Sequence, residues 1–111
     1  HLLDTPWPKV RRGTAALGAL LDGDRDADVE ALLAMMCDDT IAPDAELPDT
    51  GVGLAMERRL SPMFIRMPGY GTRCTTVLLL SRTGLLTFVE RTHAPEPLPD
   101  VRHRIQLAAA P

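Results

Sequence analysis

With 111 residues, 45% of them hydrophobic and 24% charged, the chain is long enough for one domain with a core and too apolar for global disorder. A formal net charge of −3, with arginines interspersed among Asp and Glu, excludes a basic stripe of the kind that binds nucleic acid. No run approaches the roughly 18 to 20 apolar residues of a membrane-spanning helix, and Asp4, Pro6 and Pro8 interrupt the start before a secretory apolar region could form.

Thr5-Pro6-Trp7-Pro8 is a helix entrance: the Thr5 hydroxyl can cap free backbone N–H groups, and proline in the first turn forfeits only an N–H that would be unpaired anyway. A first helix is predicted over about 6–22, with Val10, Leu17, Leu20 and Leu21 at helical spacing, ended by Gly23. A second is predicted over about 26–37. Its cap is Asp26, and Val29, Leu32, Leu33 and Met36 recur at i, i+3, i+4 and i+7. Asp28 and Glu30 then lie in the first turn, where negative charge suits the helix dipole.

Residues 38–62 contain Pro43, Pro48, Gly51, Gly53 and several acids, with little periodicity beyond a short turn near Met56 to Leu60. Structureless loops longer than about 12 to 15 residues are uncommon in compact domains. The segment is therefore either an ordered excursion over an active-site edge or a flexible helix-to-sheet connector.

Strands are predicted over about 63–67, 72–80 and 85–91. Pro68-Gly69-Tyr70-Gly71 makes the first turn, and Ser81-Arg82-Thr83-Gly84 joins the second and third strands as a hairpin. Three prolines between Ala94 and Pro99 rule out a central strand there, and Val101, His103, Ile105 and Leu107 alternate with polar residues as a last strand over about 101–107. The closing alanines and proline are expected to fray. The fold class is α+β: two helices packed on an antiparallel sheet of three or four strands. In the central strand Val77 and Leu79 point one way, Leu78 and Leu80 the other. That is the pattern of a strand buried on both faces, so one sheet face needs cover beyond the two helices.

Pro68-Gly69-Tyr70-Gly71-Thr72-Arg73, the apolar strand after it, Phe88-Val89-Glu90-Arg91, and upstream Asp4-Thr5-Pro6-Trp7-Pro8-Lys9-Val10 and Leu47-Pro48-Asp49 together resemble the C-terminal half of the NRDE family. That family includes the transport-and-Golgi-organisation proteins of eukaryotes and many bacterial members. The tetrapeptide that names it is missing here, as is the Met-Cys start, and the chain begins at His1; a fragment or processed piece is expected. The resemblance implies half of an αββα N-terminal-nucleophile hydrolase-like sandwich, with the missing N-terminal half of the same protein as the partner that covers the open sheet face. It implies hydrolysis of amide C–N bonds by an N-terminal cysteine in the full-length protein, the fragment alone being inactive. The alternative it leaves open is a non-enzymatic protein that binds or moves haem, lipid or another hydrophobic anion.

Arg73 is the candidate catalytic and ligand-binding residue, because a cation beside a Gly-rich turn can hold a carboxylate or stabilise charge developing on a carbonyl. In relatives of the implied fold an arginine near the cysteine assists its activation, and that role would fall on Arg73. The alternative is a structural ion pair with Glu90 across the hairpin. Tyr70 and Thr72 are the accompanying candidates for a small-molecule ligand, although Tyr70 could equally lid the hairpin. Cys74, internal to a strand, cannot serve as an N-terminal nucleophile and is read as core packing. Glu90 and Arg91 are read as a solvated or paired strand end, and Trp7 as a packing anchor.

His1, His93 and His103 do not form a ligand set, and the acids at 24, 26 and 28 lack the glycine and terminal glutamate of a calcium loop. No metal and no cofactor are therefore expected. Gly51-Val52-Gly53 and Gly69-Tyr70-Gly71 lack the helix that a phosphate cradle uses. Cys37 and Cys74 are read as free thiols in a reducing compartment, with a cytoplasmic location, over the alternative of a disulfide. One lysine, Lys9, against eleven arginines fits GC-rich coding and a bacterial source.

Overall fold

The computed structural model describes residues 5–22 and 27–108. In chain order these form helix α1 (Pro8–Leu21), helix α2 (Val29–Met35), a 3-10 turn (Asp44–Glu46), helix α3 (Leu54–Leu60), the short strands β1 (Arg66–Met67) and β2 (Tyr70–Gly71), and the longer strands β3 (Cys74–Leu80), β4 (Leu85–Thr92) and β5 (Val101–Gln106). Both sheets are antiparallel, β1-β2 and β3-β4-β5. The architecture is α+β.

The two predicted helix caps shift along the chain. Trp7, not Thr5, is the N-cap of α1, with Pro8 in the first turn and no side-chain cap bond. Thr5 lies two residues too early for its hydroxyl to cap, and it contributes its carbonyl instead, accepting from the Trp7 N–H at 2.8 Å. For α2 the cap is Asp28, whose carboxylate accepts from the Glu30 N–H at 3.0 Å. Gly23, Asp24 and Asp26 lie outside the described residues. Helix α2 delivers Leu32 and Leu33 to the core against Val77 of β3 and Val89 of β4, with Ala27, Val29 and Leu79 packed around them. Helix α1 lies against α2, and its stripe of Val10, Leu17, Leu20 and Leu21 remains exposed.

Residues 38–62 are pinned at several points. Asp38 pairs with Arg12 and Asp44 with Arg58, while Glu46 pairs with Arg11. The Ala42 N–H donates to Ser61 Oγ at 2.9 Å inside the fold. Apolar periodicity in Leu54–Leu60 is masked by Glu57, which is buried, so the helix reads as loop from the sequence.

The β3-β4 register pairs Cys74 with Thr92 and Leu80 with Leu86, and the β4-β5 register pairs Leu85 with Gln106 and Glu90 with Val101. Cross-strand partners share a face. Thr75, Val77, Leu79, Val89, Arg91 and Arg102 therefore face α2, whereas Leu78, Leu80, Leu86, Phe88, Val101 and Ile105 share the opposite face. That second face is bare: Leu78 is 61% exposed and Leu80 63%. The whole chain exposes 8348 Å², where a folded monomer of its mass exposes about 6,000 Å². Its radius of gyration of 16.7 Å likewise exceeds the roughly 13 Å of a compact chain of this length.

Candidate functional site

The β1-β2 hairpin and the start of β3 build a cleft. Pro68 and Gly69 fill the two central turn positions between Met67 and Tyr70, which pair across the strands, and Gly69 adopts φ +75°, open to glycine without the strain a Cβ brings. Gly71 is needed for another reason: a Cβ there would stand 2.5 Å from the Ile65 carbonyl oxygen. Thr72 closes the hairpin. Its N–H donates to the Ile65 carbonyl at 2.9 Å, and its hydroxyl oxygen accepts from the Ile65 N–H at 3.0 Å.

Arg73 stands where this hairpin meets the three-stranded sheet. Its carbonyl accepts from the N–H groups of His93 and Ala94 at 2.7 and 3.2 Å, which ties the end of β4 to the turn beside an open cleft of about 800 Å³. Phe64, Met67, Pro68 and Pro95 supply apolar wall, and Arg66, Tyr70, Thr72, Arg73 and His93 supply the polar groups. This size lies within the range of small-molecule sites.

All three predicted site residues, Tyr70, Thr72 and Arg73, thus line one cleft. The alternative pairing of Arg73 with Glu90 does not form. Glu90 sits directly opposite Thr76 and accepts from its hydroxyl at 2.9 Å, whereas Arg73 lies beyond the end of that ladder. Among the described residues the Arg73 guanidinium makes no ion pair. Cys74, read from the sequence as core packing, is exposed because it faces the bare side of the sheet. Cys37 and Cys74 are both free.

Two residues of the cleft were not foreseen. Arg66 stacks over Phe64, 4.4 Å from the ring centroid, and pairs loosely with Asp39 at 3.4 Å. His93 packs edge-on against Phe64 at 4.7 Å, and its Nε2 lies 2.9 Å from the Thr75 hydroxyl. Burial, then the neighbouring Arg91 and Arg66 charges, hold its pKa below the ordinary imidazole value, so the ring is neutral at pH 7. The sequence signal available was position: His93 follows the end of β4, opposite the start of β3. Arg91 is a paired strand end, bound by Asp100 and Glu30.

The cleft can therefore hold an anionic or polarised oxygen at Arg73, with a neutral imidazole and apolar surface beside it. Among the described residues no three His, Cys, Asp or Glu side chains come together to hold a metal ion, and no helix is long and apolar enough to cross a membrane.

A family model described as Transport and Golgi organisation 2 matches residues 1–95. The Transport and Golgi organization protein 2 homologs of Homo sapiens and Bos taurus are each 31% identical over 98 residues, and the Mus musculus homolog is 26% identical over 98 residues. Each match covers 82% of this chain and 36% of the relative, so the chain spans little more than a third of the length of the relatives it matches. On the extent of these matches, the chain belongs to the Transport and Golgi organisation 2 family, which is the NRDE family.

Proposed function

We propose that this chain is one helix-and-sheet half of an N-terminal-nucleophile hydrolase-like sandwich, and that the whole protein acts on amide C–N bonds with Arg73 at the wall of its site. The bare face of β3-β4-β5 carries this reading. A sheet with six apolar side chains on its uncovered side calls for a second apolar layer, and the remainder of a protein of family length supplies one. Arg73, unpaired and next to an 800 Å³ cleft, is placed to hold a substrate carboxylate or to stabilise charge on a carbonyl oxygen. Tyr70 and Thr72 complete that wall, and the nucleophile comes from the other half. The free thiols Cys37 and Cys74 suit a cytoplasmic location, and the arginine bias suits a bacterial source.

A second reading is favoured by the mixed lining of the cleft. Apolar Phe64, Met67, Pro68 and Pro95 beside the Arg73 cation suit a hydrophobic anion held without chemistry, as in a haem- or lipid-binding protein. One experiment separates the two. Amine release from a panel of small amides is measured with the whole protein and with its Arg73→Ala variant, and binding of a long-chain carboxylate is measured in parallel. Under hydrolysis, Arg73→Ala lowers kcat/KM by about 100-fold or more. Saturable carboxylate binding that Arg73→Ala removes, without amine release, selects the binding reading. Neither result from a folded protein refutes both.

A further inference from the structure

We propose that a second, smaller cavity, walled by Trp7, Lys9, Pro48, Thr50, Glu57 and Tyr70, is a binding site for a small zwitterion that carries an ammonium and a carboxylate on one short chain. The cavity measures about 210 Å³, below the range of about 300–1,000 Å³ typical of drug-sized ligands, which restricts its occupant to roughly amino-acid size. Its walls come from the start of α1, from the 38–62 segment and from β2. Three of the separate stretches singled out in the sequence, 4–10, 47–49 and 68–73, meet there through Trp7 and Lys9, Pro48 and Tyr70. The anion cleft at Arg73 uses only the last of them, so that cleft does not account for the other two.

Two opposite charges face this cavity without neutralising each other. Lys9 Nζ donates to the Leu60 carbonyl at 3.0 Å and lies 5.5 Å from the centroid of the Trp7 ring, which leaves two ammonium N–H groups to offer. Glu57 is only 5% exposed. Its Oε1 accepts from the Thr50 N–H at 2.7 Å and from the Thr50 hydroxyl at 2.6 Å; its Oε2 accepts no hydrogen bond among the described residues.

Lys9 and Glu57 are not within ion-pair distance of each other. No buried side-chain oxygen among the described residues lacks a partner, so Glu57 Oε2, which the protein leaves without a hydrogen bond, is reached from solvent and is open to a ligand cation. A ligand ammonium at Glu57 Oε2 and a ligand carboxylate at Lys9 Nζ satisfy both groups at once. An ion of one sign satisfies only one and adds a net charge to the cavity. The discrimination is therefore for the pair of charges and for their separation.

Trp7 is the single tryptophan of the chain and part of the wall, so its fluorescence reports occupancy. The protein is titrated with glycine, β-alanine and 4-aminobutyrate, and with acetate and methylammonium as single-charge controls. At least one amino acid is expected to change Trp7 emission saturably. Both controls are expected to bind at least about tenfold more weakly, the worth of one charge-assisted hydrogen bond. Lys9→Met and Glu57→Gln are each expected to reduce the amino acid to the level of the controls. Absence of a saturable change with all three amino acids overturns the proposal, as does acetate or methylammonium binding as tightly as the best of them. Should Glu57→Gln fail to fold by circular dichroism, Lys9→Met decides alone: binding equal to that of the unsubstituted protein overturns the proposal.

Discussion

Replacing Leu78 and Leu80 together by threonine separates a face built to be covered from one that merely tolerates water. The two side chains are 61% and 63% exposed, and complete burial of a leucine contributes about 1.5–3 kcal/mol. The portion still in water is therefore worth about 1–2 kcal/mol per residue, or roughly 2–4 kcal/mol for the pair, gained only when another layer closes over β3. Threonine, unlike leucine, is β-branched and suits a strand, so the strand itself should persist. Urea denaturation of the chain alone should register no more than about 0.5 kcal/mol per site, the usual scale for surface substitutions. The same substitutions in a protein of family length should lower stability by roughly 2–4 kcal/mol, and should reduce self-association of the chain alone in sedimentation. Equal losses in the two contexts, or a loss below about 1 kcal/mol in the longer protein, refute the reasoning.

Gly71→Ala should destabilise by about 1–3 kcal/mol in thermal denaturation, because the new Cβ meets the Ile65 carbonyl oxygen and backbone cannot swing aside as a side chain does. Gly18→Ala, mid-helix with nothing within 4 Å of the added carbon, should instead stabilise by about 0.5–1 kcal/mol. The lowered His93 pKa means that the unfolded chain takes up the proton first as pH falls. Its contribution is complete above the unfolded value of about 6.5 and is lost as pH drops through the folded one. His93→Gln should flatten the stability profile below that pH, and an NMR titration of the ring should give a value under that of a model imidazole. Asp38 is pushed down to about 2 by hydrogen bonds from Thr40 and then from Arg12. The stability it contributes is full above about pH 3.9 and declines toward pH 2. Arg12→Gln should remove part of that acid-induced decline in a pH series of urea melts.

The uninterrupted apolar run of Thr75 to Leu80 and the period-2 pattern of Val101 to Leu107 made the long strands readable. The i, i+3, i+4 stripe of Val29, Leu32 and Leu33 did the same for α2. Helix α3 was obscured because Glu57 occupies its buried position, and a charged residue inside is intelligible only once Thr50 is seen bonded to it. The caps moved by two residues because capping depends on where helical backbone begins, which Pro8 decided in one case. Of the cleft, Tyr70, Thr72 and Arg73 are contiguous in the chain and could be found together. His93, Arg66, Lys9 and Glu57 arrive from elsewhere, and only the closing of β4 on Arg73 and the fold of the 38–62 segment reveal that they face cavities.

The ion pairs set which side of the sheet is open to the proposed second layer. Glu30 of α2 binds Arg91 of β4 and Arg102 of β5, and Asp100 binds both arginines again. By register these arginines share the face of Val77 and Val89, where α2 already lies. Exposed pairs of this kind contribute little stability one by one, but the two made by Glu30 tie α2 to both β4 and β5, and the two made by Asp100 hold the same arginines in place. On the α2 side Val77 and Val89 are thereby buried and Arg91 and Arg102 paired. On the other side Leu78, Leu80, Leu86, Phe88, Val101 and Ile105 form a field interrupted mainly at its Thr76–Glu90 end and by His103. A layer that adds there need displace no ion pair and meets side chains whose burial is still to come, so the energetics favour assembly across the bare face over any rearrangement of α2.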